Sequence, residues 1–163
     1  MPIKRGKKEV AFSLFSILIV LILDQSLKSF IRLNFLVGES MPIIKNILHV
    51  TFVRNTGAAF GLFKNSAPFF IIVSMAAIMV MLYLLLKSVT KGEFLKNFIF
   101  NFSLILIISG AFGNLIDRIR FGYVIDFIDV RIWPVFNIAD SSITIGSLIL
   151  ILSFMRQKAQ SAR

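Results

Sequence analysis

The order of apolar and polar residues divides the chain into four long apolar runs. The clearest run covers residues 69–86, eighteen positions without a charge, which is long enough to cross a bilayer as a helix. Residues 10–23 form a shorter run, but Leu27, Phe30 and Ile31 continue its helical face. The pattern predicts a single membrane domain over residues 1–163, with spans at about 10–32, 67–87, 97–117 and 138–156.

The two segments that follow the first and third spans, residues 33–66 and 118–137, are predicted to lie outside the membrane. Residues 47–53 are rich in β-branched and apolar side chains, which indicates a strand, and residues 54–57 are typical of a turn. We therefore predict an all-α integral membrane protein with four transmembrane helices and a small extramembrane β-sheet between helices 1 and 2. His49 is interpreted as an exposed residue of that strand rather than a ligand.

Small residues recur four positions apart in the third and fourth runs, a spacing that lets helix backbones approach closely. The pairs are Ser109 with Gly113, Gly110 with Asn114, and Ser142 with Gly146. These positions predict a strip of contact between helices.

Composition further limits the kind of protein and the kinds of site that this chain can form. Hydrophobic residues make up 57% of the chain, which is too apolar for an ordinary soluble domain. Without cysteine there is no disulfide, thiolate site or cysteine nucleophile, and His49 is the only histidine, which excludes a zinc site built from several histidines. We expect no cofactor and no metal.

The net charge of +10 comes from basic residues that flank the apolar runs, so we expect membrane lipids rather than nucleic acid as a partner. Four spans put both termini on one side of the membrane. Ten basic residues fall on that side, in short tails and one short loop, against eight on the other. The positive-inside rule therefore predicts cytoplasmic termini.

Six of the eight acids fall on the opposite side, mostly at the borders of spans: Asp24, Glu39, Asp117, Asp126, Asp129 and Asp140. A carboxylate beside a span is costly unless it is paired, solvated or used in function. Asp24 and Lys28 are one helical turn apart, which is consistent with a local ion pair at the membrane border or with support of a site.

Two carboxyl groups that share a partly dry site can hold a water between them, one as base and the other as acid. Asp140 begins a predicted helix, where its simplest interpretation is an N-cap. The helix dipole would also stabilise a negative charge there, so if both hold, Asp140 is the better candidate for the charged member of such a pair and Asp126 for the protonated one. On spacing alone Asp117, Asp126 and Asp129 are equal candidates for its partner. Asp117 could instead pair with or cap beside Arg118, and Asp129 could be solvated beside Arg131.

Five short motifs appear in order along nearly the whole chain. They are Leu-Asp-Gln-x-x-Lys at 23–28, Arg-Asn-Thr-Gly-Ala-Ala-Phe at 54–60, Gly-Asn-Leu-Ile-Asp-Arg at 113–118, Val-Ile-Asp-Phe at 124–127 and Phe-Asn-Ile-Ala-Asp at 136–140. Together they resemble the lipoprotein signal peptidases, the type II signal peptidases of bacteria. The resemblance implies a multi-pass aspartic endopeptidase of the bacterial inner membrane, with its active site near the outer face. Such enzymes cleave prolipoproteins just before a cysteine that carries diacylglycerol.

The resemblance also implies residue roles. It assigns the catalytic pair to Asp126 and Asp140 and equates the strand-rich segment with the extramembrane β-cradle of the family. It implies inhibition by globomycin-type cyclic peptides at the pair. The positions that would shape and hold the site are Asp24, Lys28, Asn55, Gly57, Asn114, Arg118 and Asn137.

One departure from the family pattern is a shorter link between Asp126 and Asp140, in which Trp133 is either an interface anchor or part of a lid. Two other classes of function are open on the residues alone. A proton or ion transporter would carry charges in the middle of several spans, whereas here they cluster at one border and the second span has none. A membrane scaffold would use Asp126 and Asp140 only as caps and solvated groups.

Overall fold

The computed structural model describes residues 2–57 and 66–161, with side chains from 6 to 57 and from 66 to 156. Part of the second motif, Ala58, Ala59 and Phe60, lies outside the described residues. So do the basic residues Lys64 and Arg163, and the side chains of Lys4, Arg5 and Lys158.

Four helices form the membrane part: α1 (Pro2–Asn34), α2 (Ala67–Thr90), α3 (Phe98–Phe121) and α4 (Ile138–Ser161). Within the described residues, these four are long and apolar enough to cross a membrane, which confirms the predicted number of spans. The helices are longer than the apolar runs. In particular, α3 continues to Phe121 and ends at Gly122, which adopts a left-handed conformation with φ 77° and is therefore suited to glycine.

Helix α3 is the centre of the bundle. In its most apolar stretch 61% of the residues are buried, against 11% to 17% in the other three helices, so α3 is packed by protein whereas the other three lie at the outside of the bundle. Its small residues are in contact with α4, as the spacing predicted. A Cβ on Gly110 would lie 2.2 Å from the backbone oxygen of Ala139, so a larger residue there would push the two helices apart.

A three-stranded antiparallel sheet lies between the helix ends, with β1 (Ser40–Ile44), β2 (Leu48–Asn55) and β3 (Val124–Asp129) in that order. The predicted sheet is confirmed, but β3 was not predicted. It comes from the connection between α3 and α4, and five of its six residues are buried. The predicted turn at 54–57 is wrong for Arg54 and Asn55, which pair with β3 as the end of β2.

A compact apolar cluster joins the sheet to the end of α1. Phe52 of β2 and Ile125 and Phe127 of β3 are buried against Ile31 of α1. Because successive residues of a strand point to opposite faces, the residue between Ile125 and Phe127 points away from this cluster. That residue is Asp126.

Candidate active site

Asp126 is held on β3 by two amide side chains. It is 1% exposed. Asn137 Nδ2 donates to its Oδ1 at 2.7 Å, and Asn55 Nδ2 donates to its Oδ2 at 3.0 Å. Asn55 ends β2 and its own Oδ1 accepts from the Gly57 backbone N–H at 3.0 Å. Both oxygens of Asp126 therefore have fixed donors.

Asp140 lies in the first turn of α4 but is not the N-cap. Asn137 precedes the helix, and its Oδ1 accepts from the Asp140 N–H at 2.8 Å, while the Asn137 N–H donates back to Asp140 Oδ2 at 3.3 Å. This reciprocal pair is a capping box. The interpretation of Asp140 as an N-cap is thus corrected, because Asn137 takes that position. Asn114 Nδ2 donates to the other oxygen, Asp140 Oδ1, at 2.7 Å.

The two carboxylates meet at Asn137, which hydrogen-bonds both. They also line one cavity of about 1080 Å³. Burial, and next the neighbouring charge of Asp140, raise the pKa of Asp126 to about 7, although the hydrogen bonds from Asn55 and Asn137 oppose the rise. A group with such a pKa can hold or release a proton near neutral pH.

The cavity is lined by side chains from all but the first helix. Its apolar wall comes from α2, α3 and α4, with Phe70, Ala111 and Ile143 among the lining residues, and residues 133–136 of the connection before α4 close another side. Arg118 lies at its edge, where the guanidinium stacks 4.8 Å from the centre of the Phe70 ring and donates to the Gly57 carbonyl at 3.3 Å. A cation over an aromatic face is held in place without an ion pair.

A buried ion cluster lies behind the pair. Lys28 Nζ is 2.8 Å from Asp24 Oδ2 and 3.0 Å from Asp117 Oδ2, and it donates to Asn114 Oδ1 at 3.0 Å. All three charged side chains are 1% exposed or less. The predicted pair of Asp24 with Lys28 is therefore formed, but inside the protein rather than at a solvated border. The alternative interpretation of Asp117, a pair or cap with Arg118, is wrong, because its carboxylate binds Lys28.

Gln25 belongs to this cluster and was not predicted as a site residue. Its Nε2 donates to Asp24, Asp117 and the Gly113 carbonyl at 3.0 to 3.2 Å. Gln25 lies three residues before Lys28 on α1, so the helical spacing alone places both on one face. That spacing is the feature of the sequence from which Gln25 could have been predicted as a site residue.

Asp129 lies apart from the pair. Its Oδ2 accepts from Thr51 at 2.8 Å and its Oδ1 accepts from the Arg131 N–H at 2.9 Å. Burial raises its pKa, but these hydrogen bonds and the charge of Arg131 outweigh burial and lower the pKa below the ordinary value. The predicted solvated carboxylate is thus corrected to a buried, hydrogen-bonded one at 6% exposure. His49 is half-buried in β2, not exposed as predicted, and contacts Ser40 and Arg131.

The chemical capacity of the site follows from its charges. Asn137 donates to both carboxyls beside the cavity, from its side chain to Asp126 and from its backbone to Asp140. Within the described residues no cation forms an ion pair with either carboxyl, and Asp126 has a pKa near neutrality. Across the same described part of the chain, no three His, Asp or Glu side chains gather as metal ligands. A bundle of membrane spans with a buried acidic pair at a large cavity defines a multi-pass membrane enzyme.

Comparisons with known proteins give the family. The model of the signal peptidase (SPase) II family matches residues 16–156. The chain is 47% identical to a lipoprotein signal peptidase of Halothermothrix orenii, over 87% of this chain and 94% of the relative, and 42% identical to one of Moorella thermoacetica, over 90% and 94%. A solved bacterial membrane enzyme superposes with a TM-score of 0.84 at 32% identity, covering 93% of this chain and 92% of that one. The chain belongs to the signal peptidase II family, and it is a membrane protease that removes signal peptides from prolipoproteins.

Proposed function

We propose that the protease is an aspartic endopeptidase that cuts a diacylglyceryl-modified prolipoprotein just before the lipidated cysteine, with Asp126 and Asp140 as its catalytic pair. The observation that carries the proposal is the bridge made by Asn137. The side-chain Nδ2 of Asn137 donates to the Asp126 carboxyl, and its backbone N–H donates to the Asp140 carboxyl. The side-chain oxygen of Asn137 accepts from the Asp140 backbone N–H. The two carboxyls are thereby held toward the same cavity, where one water could contact both.

Asp126 is the proton donor in this proposal, and Asp140 is the base. The raised pKa of Asp126 favours its neutral form near neutral pH. Asp140 receives hydrogen bonds from Asn114 and from the backbone N–H of Asn137, and it lies in the first turn of a helix. Donors of that kind and the helix dipole stabilise a negative charge.

The reaction then proceeds without a covalent intermediate. Asp140 takes a proton from the water as the water oxygen attacks the carbonyl carbon, and Asp126 gives its proton to the carbonyl oxygen. In the second step the diol returns a hydroxyl proton to Asp126, Asp140 passes its proton to the amide nitrogen, and the carbon–nitrogen bond breaks. Both aspartates end as they began.

The walls of the cavity suit an amphipathic substrate. The apolar faces of α2, α3 and α4 lie below the pair, whereas Asn55, Arg118 and the carboxyls lie around it. Acyl chains and the apolar signal peptide gain free energy in such walls, at about 25 cal/mol for each Å² removed from water. The scissile peptide would lie against the polar groups. Membrane lipids would surround the exposed faces of the helices.

We further propose that the protein lies in the bacterial cytoplasmic membrane with both termini inside, so that the pair is near the outer face. The basic residues beside the ends of α2 and α3, Lys87, Lys91 and Lys96, support that orientation. Globomycin-type cyclic peptides would inhibit by occupying the pair. Asp24, Lys28, Asn55, Gly57, Asn114, Arg118 and Asn137 would support the site without reacting.

The test uses Asp126→Asn and Asp140→Asn on a diacylglyceryl-modified prolipoprotein peptide. Each change removes one proton-transfer group while keeping size and most hydrogen bonds, so each should lower kcat by about 10³-fold or more. Cleavage would be followed by mass spectrometry of the released signal peptide, and folding by the melting temperature in detergent.

The matched control is Asp129→Asn, in the same strand as Asp126 and also buried. At saturating substrate it should retain kcat within about threefold, because its carboxylate bonds Thr51 and Arg131 rather than the pair. Full cleavage by a folded Asp126→Asn or Asp140→Asn protein would remove that residue from the catalytic pair. Complete loss in Asp129→Asn would place Asp129 in the catalytic pair.

A further inference from the structure

The connection between β3 and α4 is held to the sheet by hydrogen bonds at two places, which we call clips. At its far end, Phe136 pairs with β3: its carbonyl accepts from the N–H groups of Phe127 and Ile128 at 3.0 and 2.7 Å, and its N–H donates to Ile128 at 3.0 Å. At its near end lies Arg131, two residues after the end of β3. Residues 132–135 form the loop between these clips.

Arg131 has an unusual backbone. Its φ is 66°, in the left-handed region that side chains other than glycine rarely adopt. The Asp129 carboxylate accepts the Arg131 N–H at 2.9 Å, which closes a turn of the kind that aspartate favours. The conformation therefore depends on a neighbouring side chain.

The guanidinium of Arg131 reaches all three strands. It lies 3.5 Å from Asp129 Oδ2 on β3, donates to Ser40 Oγ on β1 at 3.0 Å and contacts Nδ1 of His49 on β2. Since a guanidinium only donates, His49 Nδ1 is the acceptor. Thr51 adds a second route, because its hydroxyl bonds both Asp129 and Ser40 at 2.8 Å. We name these five residues the clasp: Ser40, His49, Thr51, Asp129 and Arg131.

The loop that the clasp ties down is a wall of the cavity. Trp133, Pro134, Val135 and Phe136 all line the cavity that holds Asp126 and Asp140. The tip of this loop is exposed, with Ile132 at 93% and Trp133 at 59%. Two clips tie this wall to the sheet: the Phe136 clip is backbone pairing, and the clasp is side-chain chemistry.

We propose that Arg131 is a positioning residue, which fixes the wall formed by residues 133–136 through the clasp and so sets how tightly the substrate is bound. The inference rests on the proposed function for its kinetic consequence. Its structural consequence is independent, because an unclasped wall should move whether or not the aspartates react. The effect falls on binding and not on proton transfer, since no member of the clasp hydrogen-bonds either aspartate of the pair.

Trp133 supplies a direct readout, because it is the only tryptophan of the chain. In Arg131→Gln, acrylamide quenching of Trp133 should rise about twofold in the folded protein, as expected for a locally loosened segment. With the lipidated substrate, KM should rise about fivefold while kcat stays within about twofold, the pattern of lost substrate binding. Arg131→Lys keeps the charge but loses the planar fork of donors, so it should fall between wild type and Arg131→Gln.

Two further variants separate the explanations. Lys45→Gln removes one exposed positive charge from the turn between β1 and β2 and should match wild type. Arg131→Gly keeps a residue suited to the left-handed backbone but has no clasp, and it should resemble Arg131→Gln. Equal effects in Lys45→Gln, or wild-type quenching and KM in Arg131→Gly or Arg131→Gln, would overturn the proposal. If Asp126→Asn still cleaves, the proposed catalytic pair fails, and the Trp133 quenching still decides the role of the clasp.

Discussion

Two pairs of aspartates lie in one hydrogen-bonded network, and the groups that bind them differ: a cation binds one pair, and amides bind the other. Asp24 and Asp117 are both within 3.0 Å of the ammonium of Lys28, are at most 1% exposed and are away from the cavity. Asp126 and Asp140 face the cavity, and amide groups rather than a cation bind them. Asn114 joins the two pairs, since its Oδ1 accepts from Lys28 and its Nδ2 donates to Asp140.

The contrast shows which groups remain free to move a proton. Lys28 has three acceptors, Asp24, Asp117 and Asn114, which match the three N–H bonds of an ammonium. Buried acids paired with a cation in this way serve the structure. Neutral amides stabilise a carboxylate less, so burial and mutual repulsion can raise a pKa into the neutral range, as for Asp126. The ion cluster thus orients the side-chain amide of Asn114, which donates to Asp140.

The largest expected effect comes from removing the cation of the ion cluster. Lys28→Met removes the cation that neutralises two buried carboxylates and leaves them only the hydrogen bonds of neutral donors. This change should lower the free energy of unfolding in detergent by about 3–5 kcal/mol. Thermal unfolding would measure it, with the exposed Lys45→Met as the control. A loss below about 1 kcal/mol would place the ion cluster among weak ion pairs, and the two pairs of aspartates would then not differ in how strongly they are neutralised.

Asn137 offers the next largest effect, because it caps α4 and also donates to Asp126. Asn137→Ser can keep the cap but cannot reach Asp126, whereas Asn137→Ala loses both contacts. In the proposed mechanism Asp126 becomes charged as it gives up its proton, and a hydrogen bond to a charged group is worth about 1.5–3 kcal/mol. Both variants should therefore lose about 10- to 100-fold in kcat.

Stability separates the two roles of Asn137. Asn137→Ala alone should also lose about 1 kcal/mol of stability with the cap. The measurements are steady-state cleavage and the melting temperature of the same preparations. Wild-type kcat in Asn137→Ser would show that only the cap matters.

The four spans were predictable because each is a long apolar run, and the Asp24 and Lys28 pair because the spacing lies within one helix. The strand β3 was not, since it is buried on both faces and so lacks the alternation that marks a half-exposed strand. Asp117 joins Lys28 only through the packing of α3 against α1. Contacts of that kind depend on tertiary structure, which no local pattern encodes.

Tertiary contacts also explain why the sequence could not separate the three candidate partners of Asp140. Spacing left Asp117, Asp126 and Asp129 as equal partners for Asp140. The structure brings Asp126 to Asn137, binds Asp117 to Lys28 and binds Asp129 to Thr51. The catalytic roles stay predictions. What differs between the three is the partner that tertiary packing provides. The packing of α3 against α1 brings Asp117 to Lys28, whereas the pairing of β2 with β3 brings Asp129 to Thr51.

A smaller effect is expected at Gly113, where α3 meets the ion cluster. A Cβ there would lie 2.7 Å from Asp24 Oδ2 and 3.1 Å from the Ala139 Cβ. Gly113→Ala should therefore displace Asp24 and cost about 1–3 kcal/mol of stability by overpacking. Gly38→Ala is a poor control because of its positive φ. Gly6→Ala is better, since its Cβ would meet only Val89 at an ordinary 3.6 Å.

The smallest effect is a shift in the pH dependence of cleavage. The proposed mechanism needs one proton on the pair, and Asp126 has a pKa of about 7, so kcat/KM should fall as pH rises through about that value. The hydrogen bond from Asn55 lowers the pKa of Asp126. Asn55→Ala removes it, so the alkaline fall should move to higher pH, by less than about one pH unit. Lys28→Met should shift it in the same direction, because the charge of Lys28 also lowers that pKa. An alkaline limb that moves to lower pH in Asn55→Ala would mean that a group other than Asp126 carries the proton.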